Sequence, residues 1–374
     1  MTAVRRAIVA VTNDLVTDQR VRRSCEVLRA TGFDVLLVGR RLPGSPPLTP
    51  RGYPMRRMRL LFRRGPLFYA EYNVRLFFFL LVRRASLLVA NDLDTLPASW
   101  LVSRLRRIPL VYDSHEYFTE VPELRGRFAR RVWLAFERRI FPRLTDVITV
   151  SDSIAEAYRR RYGVTVQVVR NLPDRNPADA VTPVSRREAG IPEDKKVVLL
   201  QGSGINMARG GEEAVMAMRY VEEAVLMIVG GGDALPRMKE KVTEEGLDDK
   251  VIFIPRQPPE KLYAYTVLAD VGLTLDKDQS ANQRYSLPNK LFDYIHCGVP
   301  VLASDLPEVR RIVKDYDVGL VLDEHSAEAI ASAINWMLEK DYKKRKKENL
   351  RRAAEVLSWE REKEVLQRIF EKYR

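Results

Sequence analysis

The sequence predicts an α/β protein made of two doubly wound, parallel-sheet domains in series. Three observations carry that prediction. Short apolar runs suited to strands buried on both faces alternate with helical stretches along most of the chain. The alternation lapses over residues 171–194, where Pro173, Pro177, Pro183 and Pro192 fall without periodicity, and then restarts. At 374 residues the chain is also long for a single core.

In the first half, residues 7–12 read as a buried strand followed by the loop Asn13-Asp14-Leu15-Val16-Thr17-Asp18-Gln19-Arg20. A helix from about Asp18 to Ala30 turns Val21, Cys25 and Leu28 inward, Gly32 ends it, and residues 35–38 form the next strand. A strand–loop–helix–strand opening implies a parallel sheet whose first loop lies at the carboxyl end, where such sheets bind ligands. No Gly-x-Gly-x-x-Gly follows the first strand, which excludes the dinucleotide reading. Residues 40–66 are a loop rich in Pro and Arg with one short strand near Met58. Residues 66–84 hold Phe68, Tyr69, Tyr72, Phe77, Phe78 and Phe79, bracketed by Arg63, Arg64, Arg75, Arg83 and Arg84. Two readings suit them: a core helix with an aromatic inner face, or a surface helix lying on an anionic membrane. Nucleic acid would also suit basic and aromatic residues together, but no nucleic-acid motif accompanies them, and no such partner is expected. Strands follow at 87–90 and 109–113, the second running into Ser114-His115-Glu116. His115 is one of three histidines, and its place past a strand's carboxyl end marks it as a candidate functional group. A helix at 124–141, a strand at 146–150, a helix capped by Ser151 or Ser153 and a strand at 166–170 complete this half.

The second half restarts with a strand at 196–201 and the loop Gly202-Ser203-Gly204-Ile205-Asn206-Met207-Ala208-Arg209-Gly210-Gly211, then a helix to about Arg219. A glycine-flexible loop containing a cation can wrap phosphate oxygens with backbone N–H groups. The strand at 225–229 ends in Gly230-Gly231-Gly232-Asp233, and further strands fall at 251–254, 271–275, 299–303 and 319–322. Within Ser286 to Val301, Ser286 reads as a helix cap, Pro288 as a first-turn residue, and Gly298 with Pro300 as the stop. On that helix Asn289, Lys290 and Asp293 share one face, while Leu291 and Ile295 mark another. A cation, an amide and a carboxylate beside a helix N-terminus suit a nucleotide diphosphate and its ribose; a solvated polar face is the alternative. From 327 onward the chain reads as helical, and its basic run from Lys343 to Lys347 as a solvated turn or helix face.

Composition bounds the class. Apolar content of 46% and charged content of 30% are those of a globular protein, and no apolar run approaches the roughly 20 residues a bilayer span needs. The first twelve residues carry too short an apolar run for a signal peptide. Cys25 and Cys297 lie far apart, so neither a disulfide framework nor a zinc site is expected, and a reduced cytoplasmic setting follows. Residues 1–185 hold 32 Arg, no Lys and 17 acidic residues, a net charge of +15; the remainder is −2. A partner meeting the first half should therefore be anionic, as the inner face of a membrane is.

Two domains in series with these loops resemble the retaining GT-B glycosyltransferases of family 4 (glycosyl transferases group 1) over essentially the full length. In that family two glutamates eight residues apart precede a Gly-x-Pro-Val closure. Here Asp293 stands in the second position, Tyr285 in the first, and Gly298-Val299-Pro300-Val301 closes the motif. The family's phosphate-binding Arg and Lys fall on Ser203 and Arg209, with Lys290 able to supply the missing cation. Gly230-Gly231-Gly232 resembles the family's glycine turn near the nucleotide, and His115 resembles the histidine that faces the donor sugar. The loop carrying Asn13, Asp14, Asp18 and Arg20 takes the place of its acceptor-side loop. Trp359-Glu360 resembles the crossing point at which a last helix returns to the first domain.

The resemblance implies two Rossmann-like domains facing across a cleft, with limits at 1–180 and 190–357 and a returning helix at 358–374. It implies sugar transfer from a nucleoside diphosphate sugar, with retained configuration, to a hydroxyl on a lipid-linked or cell-envelope glycan. His115, Arg209 and Lys290 would be catalytic. Gly202, Ser203, Gly231, Gly232, Tyr285, Ser286, Asn289 and Asp293 would hold the donor. No side-chain nucleophile is expected; the leaving phosphate itself would assist the acceptor, and domain closure across residues 171–194 would exclude water. Asp92-Leu93-Asp94 resembles the metal motif of another class of sugar transferase, but the same pattern recurs at Asp276-Lys277-Asp278, so no metal or other cofactor is expected. A GT-B sugar-nucleotide epimerase, and a non-catalytic sugar-nucleotide or lipid-binding protein, are the alternatives.

Overall fold

A computed structural model describes residues 5–175 and 177–374. The chain forms two compact units, the first comprising Met1–Asn171, Ser280–Asn282 and Glu362–Arg374, the second Leu172–Gln279 and Gln283–Arg361.

The first unit begins with β1 (Arg6–Ala10), α1 (Gln19–Ala30), β2 (Asp34–Arg40) and β3 (Met55–Met58). It continues through α2 (Gly65–Val82), β4 (Leu87–Asn91), α3 (Leu96–Arg106) and β5 (Leu110–Ser114). After these come α4 (Phe128–Ile140), β6 (Asp146–Thr149), α5 (Asp152–Tyr162) and β7 (Val166–Val168). Among the described residues the sheet is parallel throughout, in the order β3-β2-β1-β4-β5-β6-β7. The winding direction therefore reverses between β1 and β4, the point at which such sheets bind ligands outside their carboxyl ends. Asp18 caps α1 by accepting the Val21 N–H at 3.0 Å, and Ser151 caps α5 through the Ile154 N–H.

Helix α2 is buried along one row of apolar side chains and exposed along another. Phe68, Tyr72, Leu76 and Leu80, four apart, are buried, and the Tyr72 hydroxyl donates to the Val11 carbonyl at 2.7 Å. On the other side Leu67, Val74, Phe78 and Val82 are exposed, although they are equally apolar.

The second unit runs β8 (Lys196–Gly202), α6 (Gly211–Ala217), β9 (Ala224–Gly230), α7 (Leu235–Glu244) and β10 (Val251–Pro255). Next are α8 (Pro259–Thr266), β11 (Val271–Thr274), α9 (Ala281–Arg284) and α10 (Asn289–His296). The last elements are β12 (Val301–Ser304), α11 (Pro307–Asp315), β13 (Gly319–Leu322), α12 (Ala327–Glu339), α13 (Tyr342–Arg345), α14 (Lys347–Val356) and α15 (Trp359–Glu371). Its parallel sheet has the order β10-β9-β8-β11-β12-β13, with the reversal between β8 and β11. Separate apolar clusters built around Val197, Leu199 and Tyr294 and around Val198, Leu200 and Met218 contain alternate β8 residues, as expected for a strand buried on both faces.

Several sequence expectations need correction. The connection at 171–194 is mostly part of the second unit: Leu172, Ala189 and Ile191 are buried in its core, so the first unit ends at Asn171 rather than near 180. Residue 176 of that stretch and residues 1–4 of the N-terminal run lie outside the described residues. The last boundary falls at Arg361/Glu362, within α15, where Glu362 pairs with Arg170 at 2.7 Å. Ser286 does not cap α10, because its hydroxyl donates to the Gln283 carbonyl at 2.8 Å and Pro288 occupies the cap position. Lys343, in the basic run, is not freely solvated; its ammonium donates to the Val267 and Ala269 carbonyls at 3.2 and 2.6 Å.

Candidate active site

Polar groups gather at both switch points. In the first unit the loops after β1 and β4 are joined by Thr12, whose hydroxyl donates to Asp94 at 2.6 Å. Asp92 follows β4 in the left-handed region at φ +59°, a conformation that Asp tolerates better than most residues. This turn brings its carboxylate to His115, which follows β5. Asp92 accepts the His115 backbone N–H at 2.8 Å, and its other oxygen stands 3.3 Å from ring Nδ1. Ring Nε2 lies 3.1 Å from Asn91 Oδ1 and 3.6 Å from Asp113. The Asn91 amide nitrogen donates to the Ala10 carbonyl at 2.9 Å, so its oxygen faces the ring and Nε2 must be the donor. With a carboxylate at Nδ1 as well, the ring carries both protons. Burial opposes the charged ring, but Asp92 and Asp113 outweigh it and raise its pKa to about 9. Burial would also raise Asp113, yet Arg20 and His115 hold it well below the usual carboxylate range.

The residues of the first loop have structural partners. Arg20 is buried and grips Asp113 with two hydrogen bonds of 2.6 and 3.2 Å, while also donating to the Val169 carbonyl at 2.7 Å. Asp14 is buried and accepts from Arg57 at 2.9 Å, from the Val16 N–H at 2.8 Å and from Ser45. Asn13 is exposed and donates to Asp18 at 3.0 Å. Arg20 and Asp14 thus shape this edge from below, and the Arg20–Asp113 pair supports His115. The Asp92-x-Asp94 carboxylates are engaged by His115 and Thr12. Burial and the Asp92 charge push Asp94 up to about 7, and Glu116 rises to about 7 for the same two reasons. Among the described residues no group of three or more His, Cys, Asp or Glu side chains is arranged to hold a metal ion.

In the second unit Arg209 and Lys290 do come together, and they meet on Asp276. Arg209 donates to Asp276 Oδ1 at 2.8 Å, and the Lys290 ammonium stands 3.7 Å from Oδ2. Asp276 and Lys290 are both buried. Burial, helped by the Arg209 charge, lowers the Lys290 pKa against the pull of Asp276. Nothing along the chain singles out Asp276, since it belongs to an Asp-x-Asp pattern too common to weigh; its position just past β11, at the reversal of the sheet, is the signal that marks it. Asp293 lies one turn along α10 from Lys290, in a different network. It accepts from Gln201 at 3.1 Å and from Tyr263 at 3.2 Å, and Gln201 accepts from Thr266 at 2.7 Å. Asn289 and Ser203 are exposed, and Tyr285 and Ser286 are partly buried.

Two glycines of this unit, Gly230 and Gly232, are required by close backbone approach, whereas a Cβ on Gly231 would meet nothing within 4 Å. A Cβ on Gly230 would lie 1.9 Å from the Gly202 carbonyl oxygen, and one on Gly232 would lie 2.1 Å from that of Ile205. The loops after β8 and β9 are laced by Gly231 N–H to Gly202 at 3.2 Å and Ile205 N–H to Gly231 at 2.8 Å. Tyr294 then fixes α10 beneath them: its hydroxyl accepts the Gln201 N–H and lies 3.2 Å from the Leu199 and Leu273 carbonyls.

Two doubly wound domains, each with its charged groups at the sheet's switch point, define the GT-B fold. Family models described as "Glycosyl transferase 4-like domain" and "Glycosyl transferases group 1" match residues 17–173 and 181–356 respectively. The chain belongs to this family of GT-B, family 4-like glycosyltransferases. It is similar to the D-inositol 3-phosphate glycosyltransferase of Xylanimonas cellulosilytica, with 24% identity over 268 residues that cover 65% of this chain and 61% of that protein. The chain thus spans less than two thirds of that relative's length. Among solved structures it is similar to sucrose-phosphate synthase from Thermosynechococcus elongatus, with a TM-score of 0.80, 20% identity and 98% coverage of both chains. It is also similar to Anabaena HepE in complex with UDP-glucose, with a TM-score of 0.74, 15% identity and coverage of 97% of this chain and 98% of that one.

Proposed function

We propose that the chain transfers a sugar from a nucleoside diphosphate sugar, with retention of configuration, to a hydroxyl on a lipid-linked or cell-envelope glycan. The observation that carries this reading is the convergence of Arg209 and Lys290 at the switch point of the second sheet. Family membership and the UDP-glucose complex of a structural neighbour support it. Charge that builds on a departing diphosphate needs cations already in position, and this proposal gives that task to Arg209 and Lys290 rather than to a metal ion. Asp293 is assigned to the ribose. His115, held as an imidazolium, is assigned to the donor sugar. The acceptor hydroxyl would lose its proton to the leaving phosphate, so no side-chain nucleophile is needed.

The surface of the first unit supports an acceptor carried on an anionic membrane. Exposed apolar residues recur at helical spacing on three helices: Val74, Phe78 and Val82 on α2, Leu101 and Leu105 on α3, and Phe128, Val132 and Phe136 on α4. Exposed arginines flank them, including Arg83, Arg84, Arg104, Arg131 and Arg138. Apolar rows rimmed by guanidinium groups suit the interface of an anionic bilayer. No helix among the described residues is long and apolar enough to cross a membrane.

Thermal-shift screening against UDP, GDP, ADP and their sugars tests the donor. The proposal expects stabilisation by one base family and an anomerically retained product by NMR. Failure of every nucleotide to bind would sink it. Product formed without any acceptor would favour an epimerase instead.

A further inference from the structure

We infer that Asp276 reads the donor sugar, its Oδ2 accepting a hydrogen bond from a hydroxyl of the hexose whose diphosphate Arg209 and Lys290 hold. This inference rests on the nucleotide-sugar reading and adds a specificity residue to it. An ionised carboxylate offers only acceptors. Oδ1 is used by Arg209 at 2.8 Å, whereas Oδ2 is buried, accepts no hydrogen bond, and has the Lys290 ammonium no nearer than 3.7 Å. The residue as a whole is only 2% exposed. Thr274, two residues back at the end of β11, is also buried with its hydroxyl unpartnered. A buried acceptor of this kind calls for a donor.

A bare diphosphate cannot fill that role. Its ionised oxygens carry no protons to give, so it would be drawn by Arg209 and Lys290 and repelled by Asp276. A ligand that satisfies both halves of the cluster must join an anion to hydroxyl donors, as a sugar linked to phosphate does. Asp276 also has little freedom to turn away. The Lys277 N–H donates to the Ala208 carbonyl at 3.0 Å, and Gly210 packs so closely that a Cβ there would lie 2.3 Å from Leu275 Cβ. The two loops are thereby tied together on either side of Asp276. The same carboxylate would weaken retention of the spent diphosphate once the sugar has gone, which favours product release.

Isothermal titration of the full chain tests this with two ligands: UDP, GDP or ADP, and the matching UDP-glucose, GDP-mannose or ADP-glucose. In Asp276→Asn the diphosphate should bind as tightly as before or more tightly, while the extra affinity conferred by the sugar falls by about tenfold or more, the loss expected when a hydrogen bond to a charged acceptor is removed. In the unaltered protein, a deoxy-sugar nucleotide lacking the contacted hydroxyl should show the same loss, and that readout holds even if the variant folds poorly. Equal weakening of both ligands would reduce Asp276 to a brace for the two cations and overturn the inference. Retention of the sugar's full advantage in Asp276→Asn, or an undiminished affinity across the whole deoxy series, would overturn it too. If the unaltered protein binds none of the nucleotides or nucleotide sugars, the donor proposal itself has failed.

Discussion

At the scale of single residues, the two sites are built on opposite electrostatic plans. His115 is a cation held by carboxylates, and Asp276 is a carboxylate held by cations. Removing either cation of the second site leaves a buried carboxylate short of a partner and, on the proposed function, takes charge from the leaving group. Arg209→Ala or Lys290→Ala should cut kcat by about 10²–10³-fold, the effect typical of losing one preorganised donor. Turnover that stays within a few-fold of the parent would remove that residue from the mechanism. The first site predicts a pH dependence. The folded ring keeps its proton up to about pH 9, whereas an unperturbed histidine releases it near 6.5. The stability contributed by His115 is therefore intact below 6.5 and lost as pH rises towards 9. Asp94 and Glu116, raised to about 7, act with the same sign at lower pH: their buried carboxyls disfavour ionisation, so stability falls as pH rises through that value. Melting temperature should drop between about pH 6.5 and 9. In His115→Gln the loss carried by the ring should vanish while Asp94 and Glu116, deprived of the histidine charge that lowers them, titrate higher, so the slope changes. An unchanged slope in the variant would show that other groups govern it.

Among the elements, α10 does the most to organise the second site. Its Lys290 meets Asp276, its Asp293 meets Gln201 and Tyr263, and its Tyr294 anchors it to β8 and β11. That anchoring needs Gly272, because a Cβ there would lie 2.5 Å from the Tyr294 ring. Gly272→Ala should therefore destabilise the protein by about 1–3 kcal/mol, as overpacking of a filled core does. Urea unfolding would measure the loss, and an unshifted midpoint would mean that the ring can move aside freely. Strand and helix existence was legible in the sequence because apolar runs and their interruptions are local signals. The cap of α10 is not legible along the chain, because Ser286 looks available there whereas a preceding turn claims its hydroxyl. Helix α2 drew two readings because its composition is apolar on every side, and only packing separates the buried row from the exposed one.

For the molecule as a whole, the concentration of positive charge in the first half and the exposed apolar rows of α2, α3 and α4 make one prediction. The protein should co-sediment with vesicles containing phosphatidylglycerol more than with neutral phosphatidylcholine vesicles, and less so as salt rises. Phe78→Glu together with Phe128→Glu should reduce that binding without lowering the melting temperature, since both side chains are exposed. Equal binding to both vesicle types would remove the anionic membrane from the proposal. Sedimentation velocity separates this from self-association, in which a second copy would cover the same face.

The sequence alone determined the class of this protein. Alternation of strand and helix, the break between its halves, the glycine turns and the motif around Asp293 and Gly298 are all read along the chain, and they sufficed for the α/β architecture and the family. Tertiary structure decided which polar residues work together. Asp276 and Arg209 lie far apart in the chain and become neighbours because β11 folds beside β8, and Arg20 reaches Asp113 only across the first sheet. A charge has no periodicity to betray its partner. Its pairing is set by strand order and burial, which no local pattern records.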